Sequence, residues 1–238
     1  METVYFVGAG PGDPDLITVK GLSLLTHADV LIYAGSLVNP ELVGRSPAGV
    51  KLNSMGMQLP EIIRVMHEHA RDGRRVVRLH SGDPSLYGAI VEQIAGLSAL
   101  GVPVVCVPGV SSLFGAAAAL RTQLTLAGVS ETLIVTRPAG NTLEHDQIRE
   151  LSGFGATLVV FLGTEHLEEV TGRLACPPET PAAVVYHASW PDEQIILGTV
   201  ADIAGKARRA GITRSALLIV GAVVDPLHSG FRRSVLYS

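Results

Sequence analysis

The chain has 238 residues, which is enough for one large or two ordinary domains. Hydrophobic residues make up 47% of it and charged residues only 17%, so the chain can bury a large core. The formal net charge of −4, from 18 Lys and Arg against 22 Asp and Glu, lacks the basic excess that is typical of nucleic-acid binding. We therefore expect no nucleic-acid partner.

The first half of the chain alternates between apolar strands and helical patterns. Helix signals such as Thr18 at a start, Pro60 in a first turn and Gly101 after an end separate the segments. The expected strands are residues 3–7, 30–33, 50–52, 75–79 and 104–107, and the expected helices are residues 18–27, a short one from 40, 60–71 and 86–100. This alternation predicts a parallel sheet covered by helices.

Three of these strands end in turns that contain glycine. The first turn is Gly8-Ala9-Gly10-Pro11-Gly12-Asp13, and the others are Ser81-Gly82-Asp83-Pro84 and Pro108-Gly109-Val110-Ser111-Ser112. Ligands of parallel sheets bind beyond the carboxyl ends of the strands. We therefore expect the three turns to line one shared cleft.

The first turn does not fit the dinucleotide-binding fingerprint. The sixth position of that fingerprint is glycine, whereas here it is Asp13, whose carboxylate would repel a pyrophosphate. Pro11 also removes one N–H donor from the loop. The next strand ends in Ala34-Gly35-Ser36, without the acidic residue that would hold a ribose. The pattern thus disfavours NAD or FAD, and a tight structural turn without a ligand is the plain alternative.

The second half of the chain has a mixed pattern. Residues 182–187 and 194–197 are joined by a connection short enough for an antiparallel hairpin. Residues 121–130 show no periodicity and are interpreted as an interdomain connection. The other expected strands are residues 132–136, 157–162, 216–220 and a last one at 231–237, with helices around 144–151, 165–174 and one ending at Gly211. The sequence therefore predicts two α/β domains, residues 1–121 with a parallel sheet and residues 122–238 with a mixed sheet, and an active-site cleft between them.

Several features of the sequence bear on the cellular location of the protein. One stretch, residues 102–120, is apolar enough to resemble a membrane span. Pro103, Pro108 and Gly109 break it, so we expect buried core instead. No basic segment followed by an apolar one precedes the first strand. The two cysteines, Cys106 and Cys176, are best explained as free thiols in a reducing compartment. These features predict a cytoplasmic protein without membrane contact.

The three turns resemble the motifs of the tetrapyrrole methylase family. The run from Gly8 to Thr18 is similar to the first motif of that family, and Ser81-Gly82-Asp83-Pro84 and Val107-Pro108-Gly109 are similar to the second and third. The resemblance covers essentially the whole chain. It implies a methyltransferase that binds S-adenosylmethionine between two α/β domains, releases S-adenosylhomocysteine and forms a homodimer.

Three stretches resemble one branch of that family, the precorrin-4 C11-methyltransferases of cobalamin biosynthesis. They are Tyr33-Ala34-Gly35-Ser36-Leu37-Val38, residues 81–89 and residues 185–193. The uroporphyrinogen methylases of the family carry Asp-Arg-Leu-Val where this chain has Gly35-Ser36-Leu37-Val38, which counts against uroporphyrinogen as the substrate. The resemblance implies C-methylation of precorrin-4 to precorrin-5. The cobalt-containing substrate of the anaerobic route and other precorrin or uroporphyrinogen C-methylations are the alternatives within the family.

The resemblance also implies a set of site residues. The cofactor contacts carried over by position are Pro11, Ser81, Gly82, Asp83, Leu86, Ser111, Ser112, Leu162 and Ala188. Because the tetrapyrrole substrate carries many carboxylates, its candidate contacts include cations beside loops and groups that could line a macrocycle: Arg45, Arg121, Arg137, Tyr33, Met57 and Tyr87. Asp83 either contacts the methyl donor or braces its own turn.

No nucleophile–base constellation and no metal-ligand spacing is evident in the chain. The catalytic residues are therefore left unassigned, no metal is expected, and positioning of the two reactants is expected to dominate catalysis. The alternatives of other classes are an RNA or protein methylase of the same family, which the net charge disfavours, a nucleotide-dependent oxidoreductase, which Asp13 disfavours, and a non-catalytic binding domain.

Overall fold

The computed structural model describes residues 1–140 and 143–234. The chain divides into two units, of which the first is Met1–Ser112 and the second begins at Leu113. The sequence analysis puts the boundary nine residues later, after Arg121. The difference arises because the helix that starts at Ser112 buries Leu113 and Ala116 in a cluster with strands of the second unit.

The first unit contains a five-stranded parallel sheet, as the alternation predicts. Its strands follow the order β3-β2-β4-β1-β5. The bounds are β1 Val4–Gly8, β2 Val30–Tyr33, β3 Val50–Asn53, β4 Val76–His80 and β5 Val104–Val107. The helices are α1 Val19–Leu25, α2 Pro40–Arg45, α3 Leu59–Arg71 and α4 Ile90–Ala99. The central strand β1 pairs with β4 on one side and β5 on the other.

Helices cover both faces of this sheet. Along β2, Val30 and Ile32 pack in one buried cluster, whereas Leu31 packs in another, because successive side chains of a strand point to opposite faces. The first cluster includes Ile62 and Met66 of α3. A strand covered on both faces is apolar at nearly every position, which explains the continuous apolar runs of the sequence.

The second unit contains a mixed five-stranded sheet in the order β6-β7-β10-β8-β9. The bounds are β6 Leu133–Thr136, β7 Thr157–Val160, β8 Pro181–Tyr186, β9 Gln194–Thr199 and β10 Ala216–Val220. The helices are α5 Ser112–Ala119, α6 Ile148–Ser152, α7 Leu167–Arg173 and α8 Ile203–Arg209. β6 runs parallel to β7, β10 is antiparallel to both β7 and β8, and β8 and β9 form the predicted antiparallel hairpin.

Three other expectations differ from the structure or fall outside the described residues. Helix α4 begins at Ile90 rather than near Leu86, because Tyr87 and Ala89 adopt left-handed backbone conformations, with φ of 57° and 48°, that interrupt a helix. Residues 121–130 are turns of the second unit, where Leu124 is buried, rather than a connection outside it. Of the strand expected at 231–237, residues 231–234 are not in a strand. Residues 235–237 lie outside the described residues.

Within the described ranges, no helix combines the length and the apolar composition that crossing a bilayer requires.

Candidate active site at the carboxyl ends of the strands

The three glycine turns of the first unit meet at one edge of its sheet. Gly10 and Gly82 form an antiparallel bridge, in which Gly82 N–H donates to the Gly10 carbonyl at 2.8 Å and Gly10 N–H donates to the Gly82 carbonyl at 3.2 Å. The turn after β5 packs against both of the other turns. The sequence-based expectation that the turns come together is therefore confirmed within this unit.

Close packing explains why glycine occupies these positions. A Cβ on Gly109 would lie 2.2 Å from the carbonyl oxygen of Gly82 and 2.7 Å from Cα of Gly8. A Cβ on Gly8 would lie 2.5 Å from Cα of Gly109. Real Cβ atoms do not approach backbone atoms so closely, so no side chain fits at either position. Gly10 and Gly82 also have φ of 85° and 60°, a region that glycine enters at little cost.

Asp83 ties two of the turns together. One carboxylate oxygen accepts the backbone N–H of Ser85 at 2.8 Å and also the Ser85 hydroxyl, while the other accepts the N–H of Gly109 at 2.9 Å. Burial raises the pKa of this carboxyl, but the hydrogen bonds from Ser85 and Gly109 outweigh it and leave the pKa below its ordinary value. Asp83 is therefore an ionised brace between the turns after β4 and β5.

The other first-unit residues of the expected cofactor set lie in these turns. Pro11 is buried in the turn after β1, and Ser81 and Leu86 are half-buried in the turn after β4. Ser111 is 4% exposed, and Ser112 is the first residue of α5. The structure thus brings the loops that carry these residues to one edge of the first sheet.

A cavity of about 350 Å³ adjoins this edge within the first unit. It brings together two expected substrate residues, Met57 and Tyr87, and two expected cofactor residues, Ser81 and Leu86. Tyr33 does not line it, although the next residue, Ala34, does. The complete lining is Ala34, Ser54, Met57, Leu59, Ile62, Arg78, His80, Ser81, Leu86, Tyr87, Gly88, Ala89, Glu92 and Gln93.

Sequence reasoning missed the buried polar residues of this cavity, among them Arg78 and His80. Both lie in β4 and both are only 4% exposed. Burial alone lowers the pKa of Arg78 to about 10, and burial together with the charge of Arg78 lowers the pKa of His80 to about 3. The available signal was the presence of an arginine and a histidine inside a strand whose neighbours are all apolar, since such residues are rarely buried without a reason.

Arg45, a candidate contact for the substrate carboxylates, forms hydrogen bonds within the chain. Its guanidinium donates to Asp15 and to Glu41, each at 2.9 Å, and these bonds raise its pKa. A weaker bond of 3.4 Å reaches the carbonyl of Pro14. Arg45 therefore links α2 to the turn after β1, which favours a structural role over a contact with substrate carboxylates.

In the second unit, the expected residues lie at one edge of the mixed sheet. β6, β7 and β8 run in the same direction, so Arg137, Leu162 and Ala188 all follow the carboxyl ends of strands. Leu162 is 62% exposed, whereas Ala188 is buried and Arg137 is half-buried. Arg121 is exposed in the turn after α5, with φ of 51°, and does not belong to this edge.

The backbone of this second edge is strained. Leu162, His187, Ser189 and Ser215 all have positive φ, between 44° and 69°. The N–H of His187 donates to the Ser215 carbonyl at 3.3 Å, which places the loop after β8 beside the start of β10. Left-handed conformations in residues other than glycine are uncommon and cluster at functional sites.

Comparisons with known proteins agree with this geometry. The family described as Tetrapyrrole (Corrin/Porphyrin) Methylases matches residues 3–204. The chain belongs to the tetrapyrrole methylase family. The resemblance inferred from the three turns is thereby confirmed, and the fold of two α/β units, one with a parallel and one with a mixed sheet, is that of the family.

Two curated methylases resemble the chain along nearly all of its length. The cobalt-precorrin-4 C(11)-methyltransferase of Methanocaldococcus jannaschii is 49% identical, and the match covers 97% of this chain and 91% of that protein. The precorrin-4 C(11)-methyltransferase of Pseudomonas aeruginosa is 45% identical, with 99% and 95% covered.

Two solved methylase structures are similar as well. A cobalt precorrin-4 methyltransferase has a TM-score of 0.90 at 43% identity, with 94% of this chain and 96% of that chain covered. The uroporphyrin-III C-methyltransferase of Thermus thermophilus, solved with S-adenosylhomocysteine, has a TM-score of 0.80 at 32% identity, with 93% and 98% covered.

The first-unit residues suit the methyl donor of a tetrapyrrole methylase. S-adenosylmethionine combines an uncharged nucleoside with a cationic sulfonium and an amino-acid end that carries an ammonium and a carboxylate, so hydroxyls, backbone groups and a nearby carboxylate favour it. The turns offer the hydroxyls of Ser81, Ser111 and Ser112 and the ionised Asp83, and none of their candidate residues is basic. Pro11 is buried in the first turn and has no N–H group to donate.

Among residues 1–140 and 143–234, no three His, Cys, Asp or Glu side chains are grouped so that they could hold a metal ion.

Proposed function

We propose that this tetrapyrrole methylase transfers the methyl group of S-adenosylmethionine to C11 of precorrin-4, in the metal-free or the cobalt-containing form, during cobalamin biosynthesis. The observation that carries the proposal is the identity of 49% and 45% over nearly the whole chain to relatives of those two names. The TM-score of 0.90 with a cobalt precorrin-4 methyltransferase supports the same substrate class.

The substrate proposal also rests on a difference from the uroporphyrinogen methylases. The segment after β2 is Gly35-Ser36-Leu37-Val38, which lacks the carboxylate and the arginine of their Asp-Arg-Leu-Val. The uroporphyrin-III methyltransferase structure is also less similar, at 32% identity against 43% for the cobalt precorrin-4 enzyme. Both observations favour a later intermediate of the corrin route over uroporphyrinogen.

We propose that the methyl donor contacts Pro11, Ser81, Gly82, Asp83, Leu86, Ser111 and Ser112 of the first unit, and Leu162 and Ala188 of the second. When bound, S-adenosylmethionine supplies an electrophilic methyl group to an electron-rich carbon of the reduced macrocycle. Asp83 holds the turns after β4 and β5 in one geometry through Ser85 and Gly109. The serine hydroxyls then fix the orientation of the donor.

Positioning is the main catalytic contribution that these residues can make. Holding two reactants in line contributes roughly 7–11 kcal/mol to lowering a barrier, which is more than a single general base usually adds. Rigid turns serve this purpose because each is packed on its neighbours through backbone atoms, as at Gly8 and Gly109. We propose that Met57 and Tyr87, which line the first-unit cavity, contact the macrocycle, and that Arg137 contacts one of its carboxylates.

The test is turnover with both substrate forms. The purified protein is incubated without oxygen with S-adenosylmethionine labelled with ¹³C in the methyl group, and with either precorrin-4 or cobalt-precorrin-4. We expect one labelled methyl group in the product, attached to C11 by carbon NMR. A label at another ring carbon would mean that the protein belongs to a different branch of the family. No incorporation with either form, while uroporphyrinogen III is methylated, would contradict the proposal.

We propose further that the protein is a cytoplasmic homodimer, as the family resemblance implies. The cysteines Cys106 and Cys176 are both free, which suits a reducing compartment. Light scattering on the purified protein tests the assembly: a mass of about twice 25.0 kDa is expected, and the mass of a single chain at micromolar concentration would contradict it.

A further inference from the structure

The cavity of the first unit is lined by a buried arginine for which the described residues supply no counter-ion. Arg78 is 4% exposed, and its Nε donates to the neutral side-chain oxygen of Gln93 at 3.1 Å. Its Nη1 has no hydrogen-bond partner. In the part of the chain that the structure describes, no carboxylate forms an ion pair with Arg78. The guanidinium keeps its proton at neutral pH, since burial lowers its pKa only to about 10.

A neutral hydrogen-bonding group lies beside this cation. His80 is two residues further along β4, on the same face of the sheet, and it stacks on Phe6 with ring centroids 5.7 Å apart. Its Nε2 is buried and also lacks a partner. Because burial and the charge of Arg78 hold its pKa near 3, the imidazole is uncharged and offers one N–H donor.

Buried polar groups normally have a partner, so two unsatisfied groups that line one cavity favour binding of a hydrogen-bonding group there. The ligand chemistry follows from the donors: a guanidinium prefers a planar carboxylate, which it can bind through two parallel hydrogen bonds. Glu92 is the acidic residue of the lining, but it is exposed in the first turn of α4 and forms no ion pair with Arg78. The cavity therefore has room and charge for an acid from outside the chain.

We propose that this cavity binds one carboxylate side chain of the tetrapyrrole substrate, with Arg78 as its counter-ion and His80 as a hydrogen-bond donor. The inference rests on the proposed function, because it takes its ligand from the substrate class named there. It adds a binding site for one carboxylate, which fixes how the macrocycle is rotated within its own plane. Met57 and Tyr87 of the same lining are then placed to contact the ring that carries this acid.

Gln93→Glu is the decisive variant. It places a carboxylate where the amide oxygen now accepts from Arg78, at nearly constant volume, and so supplies an internal counter-ion. If the charge of Arg78 serves the substrate, the internal acid competes with it, and we expect about a tenfold or greater loss of affinity for the substrate. If Arg78 only stabilises the fold, the new ion pair leaves substrate affinity unchanged.

The measurement is calorimetric titration of precorrin-4 or cobalt-precorrin-4 into the protein saturated with S-adenosylhomocysteine. Gln147→Glu is the matched control, because it makes the same charge change at an exposed position of the second unit. Affinity for S-adenosylhomocysteine and the melting temperature verify folding, since Gln93 also donates to the Ala89 carbonyl at 3.0 Å and the variant loses that bond. Turnover should show a raised KM and a smaller change in kcat.

His80→Phe decides the question if the first variant does not fold. The phenyl ring keeps the stacking on Phe6 and removes both ring nitrogens, and we expect substrate affinity to fall about threefold to tenfold with unchanged cofactor affinity. Wild-type affinity in both variants would overturn the cavity inference and leave the proposed function intact. A wild-type protein that binds neither substrate form would instead overturn the proposed function, and the cavity ligand with it.

Discussion

The two sheet edges that carry the candidate residues both contain sharp backbone turns, but they form them with different residue types. At the first edge the turns take sharp conformations at glycine, as at Gly10 and Gly82, and they touch through backbone atoms at Gly8 and Gly109. At the second edge Leu162, whose side chain is exposed, adopts φ of 56° without being glycine. Glycine thus allows the close packing of the three turns at the first edge, where the left-handed residues other than glycine, Tyr87 and Ala89, come after the packed turn. At the second edge such residues lie in the loops that carry the candidate contacts.

The largest effect is expected from Gly109→Ala at the first edge. The new Cβ would lie 2.2 Å from the Gly82 carbonyl oxygen, and backbone on both sides leaves no direction in which it can move. We expect a loss of about 3 kcal/mol or more in the free energy of unfolding and loss of S-adenosylhomocysteine binding. Urea denaturation and calorimetry measure the two effects.

Gly44→Ala is the control for this substitution. Gly44 lies in α2, is exposed and has open space around the position of a Cβ, so alanine should stabilise the helix by about 0.5–1 kcal/mol. Equal stabilities of the two variants would show that the glycine contacts at the first edge are not the constraint described above.

A smaller loss is expected from Asp83→Asn, which tests whether the first edge depends on a charge. Asparagine keeps one acceptor oxygen but cannot accept from Ser85 and Gly109 at the same time. We expect the free energy of unfolding to fall by about 1.5 kcal/mol at pH 7. Because the folded pKa of Asp83 lies below its ordinary value, the stabilisation is complete above the unfolded value near 3.8 and disappears as the pH falls through the folded pKa.

Urea denaturation of wild type and variant between pH 2 and 7 measures this dependence. The difference between them should be constant at neutral pH and shrink below pH 4. Asp72→Asn, at an exposed position after α3, serves as the control and should change little. A difference between the Asp83 variant and wild type that does not vary with pH would contradict the role of the ionised carboxylate.

At the second edge, Leu162→Gly and Leu162→Ala separate strain from contact. Both variants remove an exposed side chain, but only glycine relieves the positive φ, so the glycine variant should be the more stable by about 1 kcal/mol. Both should lose affinity for S-adenosylhomocysteine by the same factor if the leucine touches it. Unequal affinities would mean that the backbone conformation, rather than the side chain, is what the cofactor requires.

The smallest effect on stability is expected from two arginines, one in each unit. Arg45→Ala removes partly exposed ion pairs with Asp15 and Glu41, so the free energy of unfolding should change little and the KM for the tetrapyrrole should not change. Arg137→Ala should raise that KM by about threefold or more without altering cofactor affinity. Steady-state kinetics that give both variants the wild-type KM would remove Arg137 from the proposed substrate contacts.

The first edge could be predicted because glycine is visible in a sequence. Glycine turns at the ends of β1, β4 and β5 indicate backbone approach, and the parallel order of the strands brings them to one edge. The alternation of strands and helices likewise predicted the parallel sheet, and the short connection before Gln194 predicted the β8–β9 hairpin.

The second edge and the cavity could not be predicted in this way. Leu162 and Tyr87 adopt a positive φ, which neither residue type favours, so the sequence does not indicate it. Arg78 and His80 stand in an apolar strand, but β4 is buried on both faces, so the pattern gives no indication of which polar group faces a cavity. The start of α4 was missed for the same reason, since Ala89 has good helix propensity but adopts a left-handed conformation, with φ of 48°.

The most direct test of the central claim, that the glycine turns serve a methyl donor rather than a dinucleotide, is calorimetric titration of the wild-type protein with S-adenosylhomocysteine, with NAD as the control. We predict saturable binding of S-adenosylhomocysteine and none of NAD, with the former abolished in Gly109→Ala and retained in Gly44→Ala. Binding of NAD alone would contradict the account and would require a different explanation of Asp13 and of the first turn.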